Sequence, residues 1–464
     1  WKRAGWLGFC FGMGLHVAGL YWVTAAVLVR ASELWWAVPL AVPVLAVPLA
    51  LFVAAACAVA RLAPAGSARV AVLAASWTAF DMARQFAFTG FPWNPLGSVW
   101  AFPGQLGEAM IQPAAWVSVH GLTLATVWLA GLPSVGWRRG WLPGAALLLF
   151  WLGAGEARLR FGPVPGPPGP VAVLVQGNVP EEEKQDPERA RGIFWRYVRL
   201  TADGVATARR DAGTGGGAAR PVVFVWPESA FPGLLTADER ARQVLMQAAP
   251  GAAYGLVGSV RFADNSQRPR NSLVALAPDG TVAATYDKAH LVPFGEYQPA
   301  GLPFQVVPGG GFAAGPGVRT LHLPGLPPVG PLICYEVIFP GQVAEAGDRP
   351  AWLVNVTNDA WYGNTAGPRQ HLVATRFRAV EEGLPLVRAA NTGISAGFDA
   401  YGHPLGRLGW GRAGALVVAV PGALPPTLFA RLGLWMPAAL CLLLGGTGMA
   451  LRRRRHPDIE TNLK

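Results

Sequence analysis

Val222-Val-Phe-Val225 is an unbroken apolar run that passes directly into Trp226-Pro227-Glu228-Ser229. A run this short, rich in β-branched residues and stopped by proline, reads as a strand buried on both faces. It leaves the Glu228 carboxylate at the strand's end. The same pattern recurs outward in both directions. Upstream, Val171–Val175 is a short apolar strand that ends in Gln176-Gly177-Asn178, and it follows a Pro/Gly connector over 161–170. A helix is expected over 186–212, where Ile193, Tyr197 and Leu200 recur at three- and four-residue spacing. Gly213-Thr-Gly-Gly-Gly217 lacks the GK[ST] ending of a phosphate loop and reads as a surface loop.

Downstream, Gly255–Val260 and Ser272–Ala277 are further strands, and Asp279-Gly280 marks a hairpin turn into Val282–Tyr286. That last strand leads into Asp287-Lys288-Ala-His-Leu-Val-Pro-Phe-Gly-Glu-Tyr297. Pro331-Leu-Ile-Cys334 and Leu353–Val356 end in Tyr335-Glu336 and Asn358-Asp359. A helix over 367–381 and strands near 385–389 and 394–399 complete the expected set. Strands interleaved with helices imply sheets covered by helices, and polar groups at strand ends are where such folds carry chemistry.

The flanks of this region are of a different kind. Only 14% of the 464 residues are charged, against about 25% in soluble domains. Six apolar stretches, near 5–29, 35–60, 69–88, 113–133, 141–157 and 428–450, approach or exceed the roughly 20 residues that span a bilayer as helix. The net charge of +11 would suit a nucleic-acid binder, but the short-loop basic residues follow topology instead. Lys2, Arg3, Arg61, Arg69, Arg138, Arg139 and Arg452–Arg455 occupy alternate connections, so one orientation puts all of them in the cytoplasm and residues 158–427 on the far side. No nucleic-acid partner is expected. Within the spans, the Asp81/Arg84 pair is either functional or self-neutralising near the interface, and His16 and His120 read as hydrogen-bonded packing residues. The expected domains are 1–157 with five spans, an extramembrane domain over 158–427, and 428–464 with a final span and basic tail. Trp1 is not an initiator methionine, and further spans are expected before it.

Three strand ends carry Glu228, Lys288 and Cys334 in that order. Cys334 is the one cysteine outside the apolar stretches, and no CxxC or metal-ligand spacing accompanies it. A thiol needs a base to become a nucleophile; a carboxylate could take its proton and an ammonium could hold the developing anion. Lysine is rare in this arginine-using chain, so one at a strand end is notable. Taken singly and on spacing alone, these residues read first as a solvated glutamate, a surface lysine and a buried thiol.

The longer motifs are more specific. Trp-Pro-Glu-Ser at 226–229, Asp-Lys-x-His-Leu-Val-Pro-Phe-Gly-Glu-Tyr at 287–297 and Ile-Cys-Tyr-Glu at 333–336 resemble the nitrilase superfamily, whose triad is Glu-Lys-Cys. With the flanking spans, and with Gly-Leu-Tyr-Trp-Val at 19–23, Thr-Gly-Phe-Pro-Trp-Asn at 89–94 and Asn-Val-Thr-Asn-Asp-Ala-Trp-Tyr-Gly at 355–363, the chain resembles the apolipoprotein N-acyltransferase family. The resemblance implies a multi-span α-helical membrane domain joined to an α/β nitrilase-like αββα sandwich, in the bacterial inner membrane with the sandwich on the periplasmic side. It implies Glu228 as general base, Lys288 as oxyanion stabiliser and Cys334 as nucleophile. Glu296 would position Lys288 or assist proton transfer, with Tyr335, Glu336, Trp361, Asn271 and Asn358 in supporting or substrate-binding places. The implied partners are a phospholipid acyl donor, typically phosphatidylethanolamine, and a diacylated apolipoprotein acceptor; no cofactor or metal is implied. An apolar, glycine-hinged loop over 302–311 is expected to gate lipid entry. Two rival readings share these residues: a membrane-tethered amidohydrolase acting on a small amide, and a scaffold or transporter with a non-catalytic domain of this type.

Overall fold

The computed structural model describes residues 1–29, 35–184, 186–213, 220–263, 267–298 and 311–454, the side chains of 211–213 and 452–454 excepted. The loop expected at 302–308 and the glycine run at 214–217 lie outside these residues. The chain divides into two compact units, Trp1–Gly162 with Pro426–Lys464, and Pro163–Pro425.

In the first unit all six apolar stretches are helical, with altered ends. The first is two helices, Lys2–Leu20 and Val23–Leu28, and the second is Val38–Ala60. The third, Ser67–Ala83, stops short of 88; the fourth and fifth are Ala114–Gly131 and Leu142–Phe161. The sixth is broken at Gly433, whose φ is +55°, into Leu428–Leu432 and Trp435–Arg454. By length and composition, Trp35–Ala60 and Ala114–Val135 are the helices among the described residues that are long and apolar enough to cross a membrane. Lys2–Leu20 lies close against Val38–Ala60 through Gly8 and Gly12. A Cβ at these positions would come within 2.8 Å of Cys57 and 2.9 Å of Ala50, the small-residue contact that lets apolar helices approach closely.

The second unit contains two sheets. Strands β1 (Val171–Gln176), β2 (Val222–Trp226), β3 (Ala252–Phe262), β4 (Pro269–Leu276) and β5 (Val282–Asp287) belong to one. Strands β6 (Val329–Ile333), β7 (Trp352–Thr357), β8 (Leu386–Ala390) and β9 (Ser395–Phe398) belong to the other. Two strands that the sequence reading omitted follow: β10 (Pro404–Leu408) and β11 (Gly414–Ala419). The orders are β11-β1-β2-β3-β4-β5 and β10-β9-β8-β7-β6. The expected helix near 186 begins at Ala190, beyond Pro187, and a helix not anticipated, Glu239–Gln247, is N-capped by Asp238.

Alternation along the strands builds two cores from one sheet. Val171, Val173, Val175 and Phe224 pack with Ile193, Tyr197 and Leu245 of the covering helices. Ala172, Leu174, Val223 and Val225 point the other way, against Val354, Val356, Val387 and Ala389 of the second sheet. The helix Gly367–Glu382 packs on the second sheet, which completes an αββα sandwich. Each fully buried aliphatic side chain here is worth about 1.5–3 kcal/mol, and truncating the fully buried Trp226 to Ala would cost about 3–5 kcal/mol.

Register sets the site. β6, β7 and β8 run parallel, with Ile333 opposite Val356 and Val356 opposite Ala389, so their carboxyl ends are level. β2 and β3 are parallel and β4 and β5 form the expected hairpin, with Ser272 opposite Asp287. Chain leaving β2, β5, β6 and β7 therefore supplies Glu228, Lys288, Cys334 and Asn358 in turn.

Candidate active site

Lys288 follows β5 and is tied to β4 by its own N–H, which donates to Asn271 O at 2.9 Å. Its side chain is 1% exposed, and Nζ donates to Glu228 Oε1 at 3.0 Å and to Glu296 Oε1 at 2.8 Å. Asn271 braces the same carboxylates: its Nδ2 donates to Glu228 at 2.7 Å and to Glu296 at 2.9 Å. Glu228 Oε2 accepts the Asn358 N–H at 2.9 Å, and Glu296 Oε2 accepts the Val292 N–H at 2.8 Å. Gly258 of β3 allows the turn that carries Glu228 to sit this close, because a Cβ there would fall 1.9 Å from Pro227 O.

Cys334 is the first residue of a tight turn over Cys334–Ile338, with φ +51°. A left-handed φ at a non-glycine residue costs on the order of 1–3 kcal/mol and persists only where surroundings impose it. Two buried side chains do so. Glu336, wholly buried, takes the Ile333 N–H on Oε2 at 2.7 Å. On Oε1 it takes the Ala289 and His290 N–H groups and the Tyr286 hydroxyl at 2.7, 3.3 and 2.9 Å. It thus fastens the thiol turn to the Lys288 segment. His371 Nε2 lies 3.1 Å from Cys334 O, which can only accept, so this nitrogen carries the proton. His371 Nδ1 is 3.0 Å from both Asp359 Oδ1 and Arg388 Nη2, and Arg388 Nη2 donates to Asp359 Oδ2 at 2.7 Å.

The structure thus brings Glu228, Lys288, Glu296 and Asn271 into one hydrogen-bonded group beside the Cys334 turn. The Asn358 backbone joins it, while the Asn358 side chain turns away to Glu181 at 2.8 Å and Asn391 at 3.0 Å. Tyr335 is buried edge-on against Phe339, and Trp361 is half-buried in the short turn Asp359–Tyr362. The Asp359–His371–Arg388 cluster escaped the sequence reading. Its signal was Arg388, a charge in the middle of the apolar run Leu386-Val-Arg-Ala-Ala390, where a buried cation demands a partner.

Electrostatics divide the roles. Burial pushes the Glu228 carboxyl up, but the Lys288 ammonium and hydrogen bonds from Lys288, Asn271 and Asn358 N–H outweigh it, and its pKa is lowered. Burial disfavours the Lys288 charge, yet Glu228, Glu296 and Cys334 hold its pKa well above the usual lysine value. Burial, then the Glu228 charge, raises the Cys334 thiol, with Lys288 acting in the opposite direction. Burial raises Glu336 to about 7 despite its donors. At neutral pH the site therefore holds a carboxylate, an ammonium and an uncharged thiol. Such a set can pass the thiol proton to Glu228 as sulfur attacks a carbonyl, while Lys288 faces the developing oxyanion.

His371 acts on this set as a positioning residue, through the carbonyl of Cys334. His371→Ala is expected to slow reaction of the Cys334 thiol with a small electrophile by up to about tenfold, the worth of one hydrogen bond. His371→Gln, whose amide nitrogen reaches the same carbonyl, is expected to restore most of the rate. Rapid-quench kinetics of thiol modification check this; equal rates in both variants would assign His371 to folding alone.

Residues 219–424 match the Carbon-nitrogen hydrolase family, and residues 1–132 match the Apolipoprotein N-acyltransferase N-terminal domain. The chain is 39% identical to the apolipoprotein N-acyltransferase of Bradyrhizobium diazoefficiens, over 97% of this chain and 86% of the relative. It is 37% identical to that of Rhodopseudomonas palustris, over 96% and 85%. Among solved structures, an amidase mutant of the nitrilase superfamily from Nesterenkonia AN1 is similar to 56% of this chain and 93% of its own length, with 21% identity and a TM-score of 0.39.

Proposed function

The chain belongs to the apolipoprotein N-acyltransferase family, and from that premise we propose that Glu228, Lys288 and Cys334 carry its acyl transfer, drawing the acyl group from a membrane phospholipid. It is a membrane enzyme with a lipoprotein acceptor. The observation that supports the site assignment is Lys288 Nζ bridging Glu228 and Glu296 beside a thiol on a strained turn.

In the first half-reaction, Cys334 sulfur attacks the donor's ester carbonyl as Glu228 takes the thiol proton. Lys288, with a backbone N–H near Tyr335, stabilises the oxyanion. The C–O bond breaks, Glu228 returns the proton to the leaving alkoxide, and a thioester and a lysophospholipid result. In the second, the α-amino group of the acceptor's diacylglyceryl-cysteine attacks the thioester. Glu228 takes the ammonium proton formed, the C–S bond breaks, and the proton returns to the thiolate as the amide is released. Glu296 and Asn271 hold Lys288 and Glu228 at their stations throughout. Neither half-step needs a group beyond a thiol, a carboxylate and an ammonium. The alternate-loop distribution of basic residues supports a cytoplasmic-membrane location with the sandwich on the outer, periplasmic side.

Incubation with acyl-labelled phosphatidylethanolamine and a diacylated lipopeptide tests the reading. One labelled amide per lysophospholipid released is expected. Free fatty acid without amide, together with turnover of a small amide, would instead identify a tethered amidohydrolase.

A further inference from the structure

The acceptor brings one proton more than Glu228 can dispose of. A free α-amino group has an ordinary pKa of about 7.7–8.0, so at neutral pH it arrives mostly as an ammonium, which has no lone pair for attack. It must lose one proton before it meets the thioester and a second once the new bond has formed. Glu228 can take the second and pass it to the departing thiolate. Its carboxylate already holds the Lys288 ammonium, the Asn271 amide and the Asn358 N–H. Glu296 is engaged in the same way by Lys288, Asn271 and the Val292 N–H.

Another carboxylate lies on the Glu228 side of the site. Asn358 touches both: its backbone N–H donates to Glu228 Oε2 at 2.9 Å, and its side-chain Nδ2 donates to Glu181 Oε2 at 2.8 Å. Asn391, wholly buried, fixes that side chain by donating from Nδ2 to Asn358 Oδ1 at 3.0 Å. Glu181 opens the short helix Glu181–Lys184, which follows β1. Among the described residues Asn358 is the one hydrogen-bond partner of the Glu181 side chain, and no ion pair engages it. Glu183, by contrast, pairs with Arg189 at 3.3 Å and Arg196 at 3.7 Å. Lys184 turns its ammonium to the Glu228 backbone oxygen, at 3.5 Å. Burial lowers the Lys184 pKa, against the attraction of Glu181 and Glu228. Glu181 is half-buried, so a proton it accepts has a way out to solvent.

We propose that Glu181 docks the α-ammonium of the acceptor and takes the first of its two protons. One N–H bond of the ammonium breaks with its electron pair left on nitrogen. The proton goes to the Glu181 carboxylate and from there to water, and the neutral amine attacks the thioester carbonyl. Glu228 then takes the second proton and returns it to the Cys334 sulfur as the C–S bond breaks. A carboxylate in this place selects an acceptor with a free, basic amine. The inference rests on the thioester at Cys334 and adds to it the group that recognises the acceptor's charge.

Acyl-enzyme formed from short-chain phosphatidylethanolamine is freed of donor and chased with a diacylated lipopeptide or with hydroxylamine, a nucleophile largely uncharged at pH 7. Loss of the acyl mass is timed by rapid-quench mass spectrometry. Glu181→Gln keeps an oxygen for Asn358 Nδ2 and loses the charge. At pH 7 its lipopeptide rate, taken relative to its hydroxylamine rate, is expected to fall about tenfold below the wild-type ratio, the worth of one charged hydrogen bond. At pH 9, where most of the amine arrives uncharged, the ratio is expected to return to within about twofold of wild type. Glu181→Asp, which keeps the charge on a shorter stem, is expected to lie between the two. Equal falls with both nucleophiles would show that Glu181 only holds Asn358 in place, and would overturn the proposal. A deficit that persists at pH 9 would overturn it too. A wild-type protein that never gains the acyl group would instead overturn the thioester, and if one variant misfolds the other decides.

Discussion

Cys334→Ala is expected to abolish acyl transfer, by roughly 10⁴-fold or more, and to do so without loss of fold. In the proposed reaction the Cys334 sulfur is the atom that bonds to the acyl group, so its removal leaves that step without a nucleophile. Cys334→Ser is expected to be nearly as inactive. A hydroxyl is far less acidic than a thiol, and Glu228, whose pKa the Lys288 ammonium and its hydrogen bonds hold low against burial, is too weak a base to activate it. The side chain contributes little to the hydrogen bonds that hold the turn, which run through Ile333 N–H, Cys334 O and Glu336. Thermal denaturation should therefore leave both variants near wild type while product formation disappears. A serine variant with a tenth or more of wild-type activity would contradict the role given to Glu228.

Lys288→Met is expected to damage both activity and stability, the latter by about 3–5 kcal/mol near pH 7, the cost of breaking a buried ion pair from one side. Removing the ammonium leaves Glu228 and Glu296 facing each other with only Asn271 between them. The contribution of Glu228 to the pH dependence of stability should then change sign. In the wild type the Glu228 pKa is lowered, so its contribution is present above the ordinary carboxylate value of about 4.3 and is lost as pH falls through the lower folded value. In the variant the lowering by the ammonium is gone, and burial raises the folded pKa of Glu228. The contribution of Glu228 to stability is then greatest in acid and falls as pH rises. Melting temperatures at pH 5 and pH 8 decide it: the raised Glu336 costs both proteins stability between these values, and the fall from pH 5 to pH 8 is expected to be distinctly larger in the variant than in the wild type. A variant with the wild-type profile would show that Lys288 does not hold these carboxylates in the folded enzyme.

Much of this site could be read from residues alone, for physical reasons. Glu228 and Cys334 each follow a short apolar run that forms a buried strand, and Lys288 follows the outgoing strand of the hairpin marked by Asp279-Gly280, so their place at strand ends follows from local pattern. Asn271 is harder to place by pattern, because it lies within β4 and reaches the carboxylates only through the β4–β5 register. β10 was missed because Pro404-Leu-Gly-Arg-Leu408 is an edge strand, partly exposed, with proline at its start and glycine inside. β11 is an apolar run that pairs with β1, Val171 opposite Ala419, so its place depends on a contact spanning most of the domain. The His371 cluster depends on three distant segments, the Asp359 turn, the Gly367–Glu382 helix and β8, and only Arg388 within its apolar strand pointed to it.

The most direct test of the account is the intact mass of the purified protein after incubation with phosphatidylethanolamine, beside Cys334→Ser. The account predicts a gain of one acyl chain on the native protein, absent from the variant, that disappears when a diacylated lipopeptide is added and reappears as an amide on the peptide. A native protein that stays unacylated while still transferring the acyl group to the peptide would contradict it, because the thioester at Cys334 would then not lie on the path.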